Sequence, residues 1–422
     1  MKCKPFIIFV CGIFIGNNQP VLSDDLKSVL KLTFETNNEL IMERKSLLAQ
    51  REQLVQLKAG RLPEITANIS NTNSWNLDLK SDTRSSSANI SADYTIYDGN
   101  LRENNIDSEK HRLRSSEFSL TLNEQKVLLS AIKAYLDVLR DQRLVDLSKK
   151  NVAVITKQLS ATKSRFDFGE LTRTDVAQAS AALSAATGTL AARQGNLELS
   201  SRIFQLIIGL EPVDLMDVVG LPLLPSSLKE AKELALRFNP AYQGAIANED
   251  MARANLEASK SIRSPNLRIS SSISEGDSTS AQIRILGSFP IFNGGKNESI
   301  IRTSSKRLEI AISQSNLTKL KVIQSVVAAW SEFEVSKAMI AARMRQVEAN
   351  NLAYEGVREE ARLGTRTTLD VLNAEQALMN SQTDLATAKS NRLSAGFTLL
   401  NVIGKLDPET LDLKVSNKTE DN

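Results

Sequence analysis

The sequence of 422 residues has little of what most catalytic and metal-binding proteins rely on. It contains one histidine, His111, and two cysteines, Cys3 and Cys11. These cannot assemble a Cys/His zinc site, a Ser-His-Asp triad or a Cys-His pair within one chain. Only chemistry based on carboxylates, Lys or Tyr stays formally open. Charge of one sign is lacking too: 52 Lys and Arg against 49 Asp and Glu leave a net charge of +3, without the basic excess of a nucleic-acid binder. No stretch approaches 18 consecutive apolar residues, which excludes a helical inner-membrane protein. Aromatic residues make up 5% and apolar residues 41%, so the core is built mostly of small and aliphatic side chains, as packed helices require.

The chain starts with Lys2 and Lys4, an apolar run over 6–16, and polar residues leading to Val21, Leu22 and Ser23 before Asp24. This order of basic, apolar and small residues predicts an export signal over 1–23. Cleavage after Ser23 removes both cysteines, so the exported chain cannot use disulfides. Cys11 follows Ile8, Phe9 and Val10, which lack the small side chains of a lipoprotein processing site.

An internal repeat dominates the rest. At an offset of 195, residues 97–209 lie on 292–404 without a gap: Asp98-Gly99 on Asn293-Gly294, Gly169 on Gly364, Asp175-Val176 on Asp370-Val371, Ile208-Gly209 on Ile403-Gly404. At an offset of 202, Asn37 meets Asn239, Arg61 meets Arg263 and Pro63 meets Pro265. The difference of seven residues falls between Ser70 and Tyr97, in a connection where insertions are tolerated. The expected organisation is a first repeat over 24–209, a proline-containing link over 210–227, a second repeat over 228–404 and a polar tail over 405–422.

Each repeat changes period twice. Residues 26–60 read as a helix stopped near Pro63, after which Ile65, Ala67 and Ile69 alternate with polar residues. The alternation resumes with Ala88, Ile90, Ala92, Tyr94 and Ile96, giving strands at about 64–75 and 88–97 around a polar connection. The second repeat predicts strands at about 266–273 and 281–291. A long helix follows each hairpin. Ala131, Val138, Val145, Val152, Leu159 and Phe166 recur every seven residues, as do Val326, Phe333, Ile340, Val347, Tyr354 and Ala361. Such a stripe is a coiled-coil seam, and after a short break it restarts at Val176 and at Val371, so each repeat carries an antiparallel helical hairpin.

A helix over 100–163 reaches about 96 Å at 1.5 Å per residue, far longer than a compact domain of this size. Four amphipathic strands cannot close a membrane barrel, which needs at least about eight. Three chains supply twelve, and closure removes every sheet edge.

This constellation resembles the TolC family of outer-membrane efflux and type I secretion channels over nearly the whole exported chain. Its most specific parts are the strand-to-helix turns at Asp98, Gly99, Asn293 and Gly294, and the tip segments 166–176 and 363–372. The resemblance implies a mainly α fold with a membrane β-barrel portion: a homotrimer with a 12-stranded barrel in outer-membrane lipid and an α-helical periplasmic tunnel. It implies a passive conduit, not an enzyme, needing no cofactor or metal. Consistent with this, no Gly-rich phosphate loop of the Walker type occurs.

The tips, at Phe168, Gly169, Glu170 and Leu171 and at Leu363, Gly364 and Thr365, would dock a periplasmic adaptor (membrane fusion) protein bound to an inner-membrane ABC or RND-type transporter. Asp370 matches a family position whose carboxylates ring the tunnel entrance, and Arg366 matches an arginine that latches the tip to a neighbouring helix. Asn373 stands where relatives of the type protein have a second acid, so strong cation selectivity does not carry over. The family's tips commonly read Val-Gly-Leu, whereas Phe168-Gly169-Glu170 and Leu363-Gly364-Thr365 occur here, so adaptor preference does not carry over either. A periplasmic adaptor or a secreted coiled-coil binding protein without a pore is the alternative. An adaptor would carry one helical hairpin inside small β-rich domains, and a secreted coiled-coil protein has no reason to keep strand alternation in both halves.

Overall fold

The computed structural model describes residues 25–76, 81–218, 220–276 and 278–413. The export signal expected over 1–23 lies outside them. In chain order the elements are α1 (Leu26–Thr36), α2 (Asn38–Ala59), β1 (Glu64–Asn76), β2 (Ser81–Tyr97), α3 (Leu101–Asp167), α4 (Arg173–Ile208), α5 (Leu228–Phe238), α6 (Pro240–Lys260), β3 (Asn266–Glu275), β4 (Ser280–Ser288), α7 (Lys296–Arg362) and α8 (Thr368–Val402). Helices α3 and α7 have 67 residues each, which is about 100 Å at the standard rise.

The helix expected over 26–60 is two. Asn37 adopts an extended backbone and its side chain accepts the N–H groups of Glu39 and Leu40, capping α2. The same break recurs at Asn239, which accepts the Tyr242 N–H and is followed by Pro240 at the first helical position. A short polar side chain that satisfies a new helix start competes with continuation of the old helix. Arg44 spans the first break, donating to the Phe34 carbonyl at 3.1 Å and to Glu124 at 2.9 Å.

The strands form one antiparallel sheet in the order β1-β2-β3-β4, with the two repeats joined between β2 and β3. The second strand starts at Ser81 rather than at 88. Asn71 to Asn76 pair with Ser81 to Ser86, and Arg84 donates to Asn73 at 3.0 Å. Ladder hydrogen bonds need no apolar side chains, so polarity alone does not mark a loop. The last strand ends at Ser288 instead of 291, two residues before Pro290, which has no N–H to give a ladder.

The main core sits midway along the long helices. Leu26, Val29 and Leu30 of α1, Val127 to Val138 of α3, Phe204 of α4, Val326 and Phe333 of α7 and Leu399 and Leu400 of α8 meet there. Tyr135 is fully buried among them and donates its hydroxyl to the Met216 carbonyl at 2.7 Å, pinning the link between the repeats. The C-terminal segment expected to be a polar tail instead packs Leu406, Leu411 and Leu413 into this core, and Lys27 pairs with Asp412 at 2.9 Å. Apolar residues interspersed with charges read as polar on average, yet a turn can present them all to one side. Residues 414–422 of that tail lie outside the described residues.

Candidate functional site at the helix tips

Helices α3 and α4 are joined by Phe168 to Thr172, and α7 and α8 by Leu363 to Thr367, with one backbone solution used twice. Gly169 (φ +78°) and Gly364 (φ +82°) are left-handed. Around them the Gly169 and Glu170 N–H groups donate to the Phe166 and Arg165 carbonyls, and the Gly364 and Thr365 N–H groups to those of Ala361 and Glu360. This is a Schellman ending, which a β-carbon at the glycine would strain. The next helix starts at once with a capping box, Thr172 with Asp175 and Thr367 with Asp370.

The box decides what Asp370 does within the chain. Its Oδ2 accepts the Thr367 N–H at 3.0 Å and the Thr367 hydroxyl at 2.8 Å, while its own N–H donates to Thr367 Oγ1 at 3.2 Å. These hydrogen bonds hold the Asp370 carboxyl below the usual range, as those from Thr172 do for Asp175. Arg366 lies on the same tip and pairs with Glu360 of α7 at 2.8 Å, which raises its pKa further. The structure therefore brings Arg366 and Asp370 together, with Glu360 as the arginine's direct partner. Asn373 is exposed one turn beyond Asp370.

Both tips push one large apolar side chain into solvent, Phe168 at 84% exposure and Leu363 at 81%. Glu170 and Thr365 are exposed beside them and Leu171 is half-buried. Glu170 pairs with Arg165 at 2.9 Å, and the Thr365 hydroxyl donates to the Glu360 carbonyl at 2.9 Å. Behind the tips Leu159 of α3, Ala179 of α4 and Leu372 of α8 form a second apolar cluster, which links the two hairpins.

At the opposite end Asp98 accepts the Arg102 N–H at 3.2 Å and pairs with its guanidinium at 3.3 Å. Arg102 also donates to the carbonyls of Gly60 at 2.7 Å and Thr95 at 3.1 Å, fastening α2, β2 and α3 together. A β-carbon at Gly99 would lie 2.1 Å from that of Ser264, so the repeats touch there through glycine. Asn293 accepts the Asn297 N–H at 3.4 Å, and Gly294 beside it is left-handed.

The sheet above these turns has two different faces. Rows such as Ile65, Ala92, Ser271 and Ile283, or Ala67, Ile90, Ile273 and Ala281, run across one of them, with Ile69 89% and Ile283 76% exposed. Thr66, Ser91, Ser272 and Gln282 share a row of the other.

Three residues escaped the sequence reading. Glu360 and Arg102 act through partners across a turn. Glu375 is buried at 6% exposure on the inner stripe of α8 between Leu372 and Met379, and an acid at an apolar-stripe position was its one visible signal. Among the described residues no cluster of His, Cys, Asp or Glu suits a metal ion, and no helix is long and apolar enough to cross a membrane.

Duplicated helical hairpins about 100 Å long, carrying an open sheet with one aliphatic and one polar face, define a transport duct. The chain belongs to the outer membrane efflux protein family, whose model matches residues 29–209 and 232–405. It is 30% identical to the outer membrane efflux protein BepC of Brucella suis over 98% of this chain and 93% of that protein. It is 23% identical to the outer membrane protein TolC of Vibrio cholerae over 97% and 99% of the two chains. The fold matches a solved structure of the CusC channel with a TM-score of 0.82 over 90% and 92% of the chains, at 18% identity. The protein is an outer-membrane component of efflux or type I secretion, and its relatives are transport proteins.

Proposed function

We propose that three copies of this chain close a 12-stranded barrel in the outer membrane over an α-helical periplasmic tunnel. The open sheet carries this reading. Among the described residues strands β1 and β4 each leave an edge unpaired, the aliphatic face is exposed, and four strands are too few to close. Closure with copies of the same chain pairs the edges, turns the aliphatic face to lipid and leaves the polar face to line water.

The tips are the docking and gating end. Phe168 and Leu363, flanked by Gly169, Glu170, Leu171, Gly364 and Thr365, offer apolar anchors to a periplasmic adaptor, which couples the duct to an inner-membrane ABC or RND-type transporter. Arg366 latches α7 to the start of α8, and Asp370 supplies a charge that its capping box keeps ionised near the axis, with Asn373 beyond it. Opening is an untwisting of these hairpins when adaptor contacts favour the unlatched state.

Single-channel recording of the detergent-purified protein in a planar bilayer tests the reading, with Asp370→Ala alongside. Discrete current steps that grow or lose cation preference in the variant support a pore gated at the second tip. A folded protein that never inserts or conducts overturns it.

A further inference from the structure

Glu375 is a buried acid close behind the second tip. It sits two turns into α8, on the stripe formed by Val371, Leu372 and Met379, all buried. Among the described residues its Oε2 has no hydrogen-bond partner, and no cation pairs with it. That oxygen has lost its hydration without gaining a hydrogen bond, which disfavours the charged form of the carboxyl. Burial pushes its pKa up to about 7.

The surrounding helices offer no compensation. On α7 the half-buried Tyr354 is the neighbouring titratable group, its own pKa raised by burial and by the charge of Glu375, and Arg358 is drawn onto the Tyr354 ring at 5.6 Å. Glu355 on the same helix is exposed. On α3, Lys150, Lys157 and Lys163 are exposed, and the inward residues Asn151, Ile155 and Leu159 carry no charge. On α4, Asp175 is tied into its capping box and Arg173 is exposed.

We infer that Glu375 is a proton-operated element of the tip: in its neutral form it seats the first turns of α8 against α3 and α4, and its ionisation loosens that seat. The consequence for gating rests on the channel reading above. The seated state binds the proton more tightly than a loosened, hydrated state, whose value is the ordinary 4.5. The contribution of the neutral acid to seating is therefore fully present below about pH 4.5 and falls away as the pH rises toward about 7. Across that window the ratio of seated to loosened chains falls about tenfold per pH unit. A duct with this device opens more readily at neutral than at acidic pH.

Hydrogen–deuterium exchange of the full-length protein in detergent, at about pH 5 and about pH 8 and corrected for intrinsic rates, tests the inference. Protection of peptides within 363–380 is expected to fall at least tenfold between the two conditions in the unmodified protein. Glu375→Gln, which mimics the neutral acid and retains His111, should keep the higher protection at both. Glu375→Met serves as a second neutral filler of the stripe. An equal fall in the unmodified protein and in both variants, no fall in any of them, or loss of the fold in both variants overturns the proposal. Bilayer conductance over the same range separates the two readings. If exchange behaves as expected but no form conducts at any pH, the channel reading fails and the proton switch stands.

Discussion

Glu360 and Arg366 close the second tip with an ion pair of 2.8 Å, and the first tip is closed with the polarity reversed. The position matching Glu360 is Arg165, and it pairs with Glu170 at 2.9 Å. The two pairs reach different distances along the chain, five residues in the first tip and six in the second. Duplication kept the geometry of a helix end tied across its own turn while the charges were exchanged.

If the second tip is the gate proposed above, breaking its ion pair should loosen it. Arg366→Ser should raise the resting conductance severalfold without changing the amount of folded protein. The exchange Glu360→Arg with Arg366→Glu should return it toward the original value. Bilayer recordings of the three forms check this, and unchanged conductance in Arg366→Ser removes the latch.

The capping box makes the charge of Asp370 resistant to acid. Its pKa is depressed, so the capped helix start is fully stabilised above the ordinary carboxylate value and loses that support only as the pH falls through the lower one. Cation preference should therefore survive acidification to about pH 4. Thr367→Val removes the hydroxyl of the box but keeps the backbone N–H, the larger cause of the depression, so it should raise the Asp370 pKa part of the way back and move the loss of that preference to a higher pH than in the unmodified protein. Reversal potentials across a salt gradient give the readout.

Gly364→Ala tests the turn without touching a neighbour, since the added β-carbon meets nothing within 4 Å. The left-handed backbone then costs about 1–2 kcal/mol. That corresponds to about a tenfold faster hydrogen exchange or more for the last turn of α7 and the first of α8, with the core unaffected. Gly169→Ala should do the same at the first tip.

The two faces of the sheet should respond oppositely to one substitution. Ile283→Arg places a charge on the aliphatic face, where an arginine at the bilayer midplane costs about 2–4 kcal/mol, and outer-membrane assembly should fall. Gln282→Arg, one residue earlier and facing the other way, should assemble normally. Extraction of membranes followed by detection of folded protein distinguishes them.

Much of this architecture can be read along the chain. The strand alternation of Ile65, Ala67 and Ile69 and the seven-residue stripe from Ala131 to Phe166 are local periods, and each period belongs to one element type. The tip glycines were legible for the same reason, because a left-handed residue between two helices is a demand of the backbone itself. The break at Asn37 was harder to see. Its apolar spacing continues through the kink, and only the recurrence of Asn at 239 hinted that a side chain caps there. Strand β2 was read short because Ser81 to Ser87 show no alternation, yet their backbone pairs regardless.

The sequence by itself determined the duplication, the great length of the two hairpin helices, the two-faced strands and the tip positions where the chain must turn. The duplication is a match of the chain to itself, and the others depend on residues a few positions apart. Tertiary structure alone decided which partners those residues meet. It folded Leu406, Leu411 and Leu413 back into the core, brought the Tyr135 hydroxyl to the Met216 carbonyl, and left Glu375 Oε2 buried with no partner among the described residues. Such outcomes depend on which helix faces cross at a given level, and that is fixed by the packing of segments far apart in the chain.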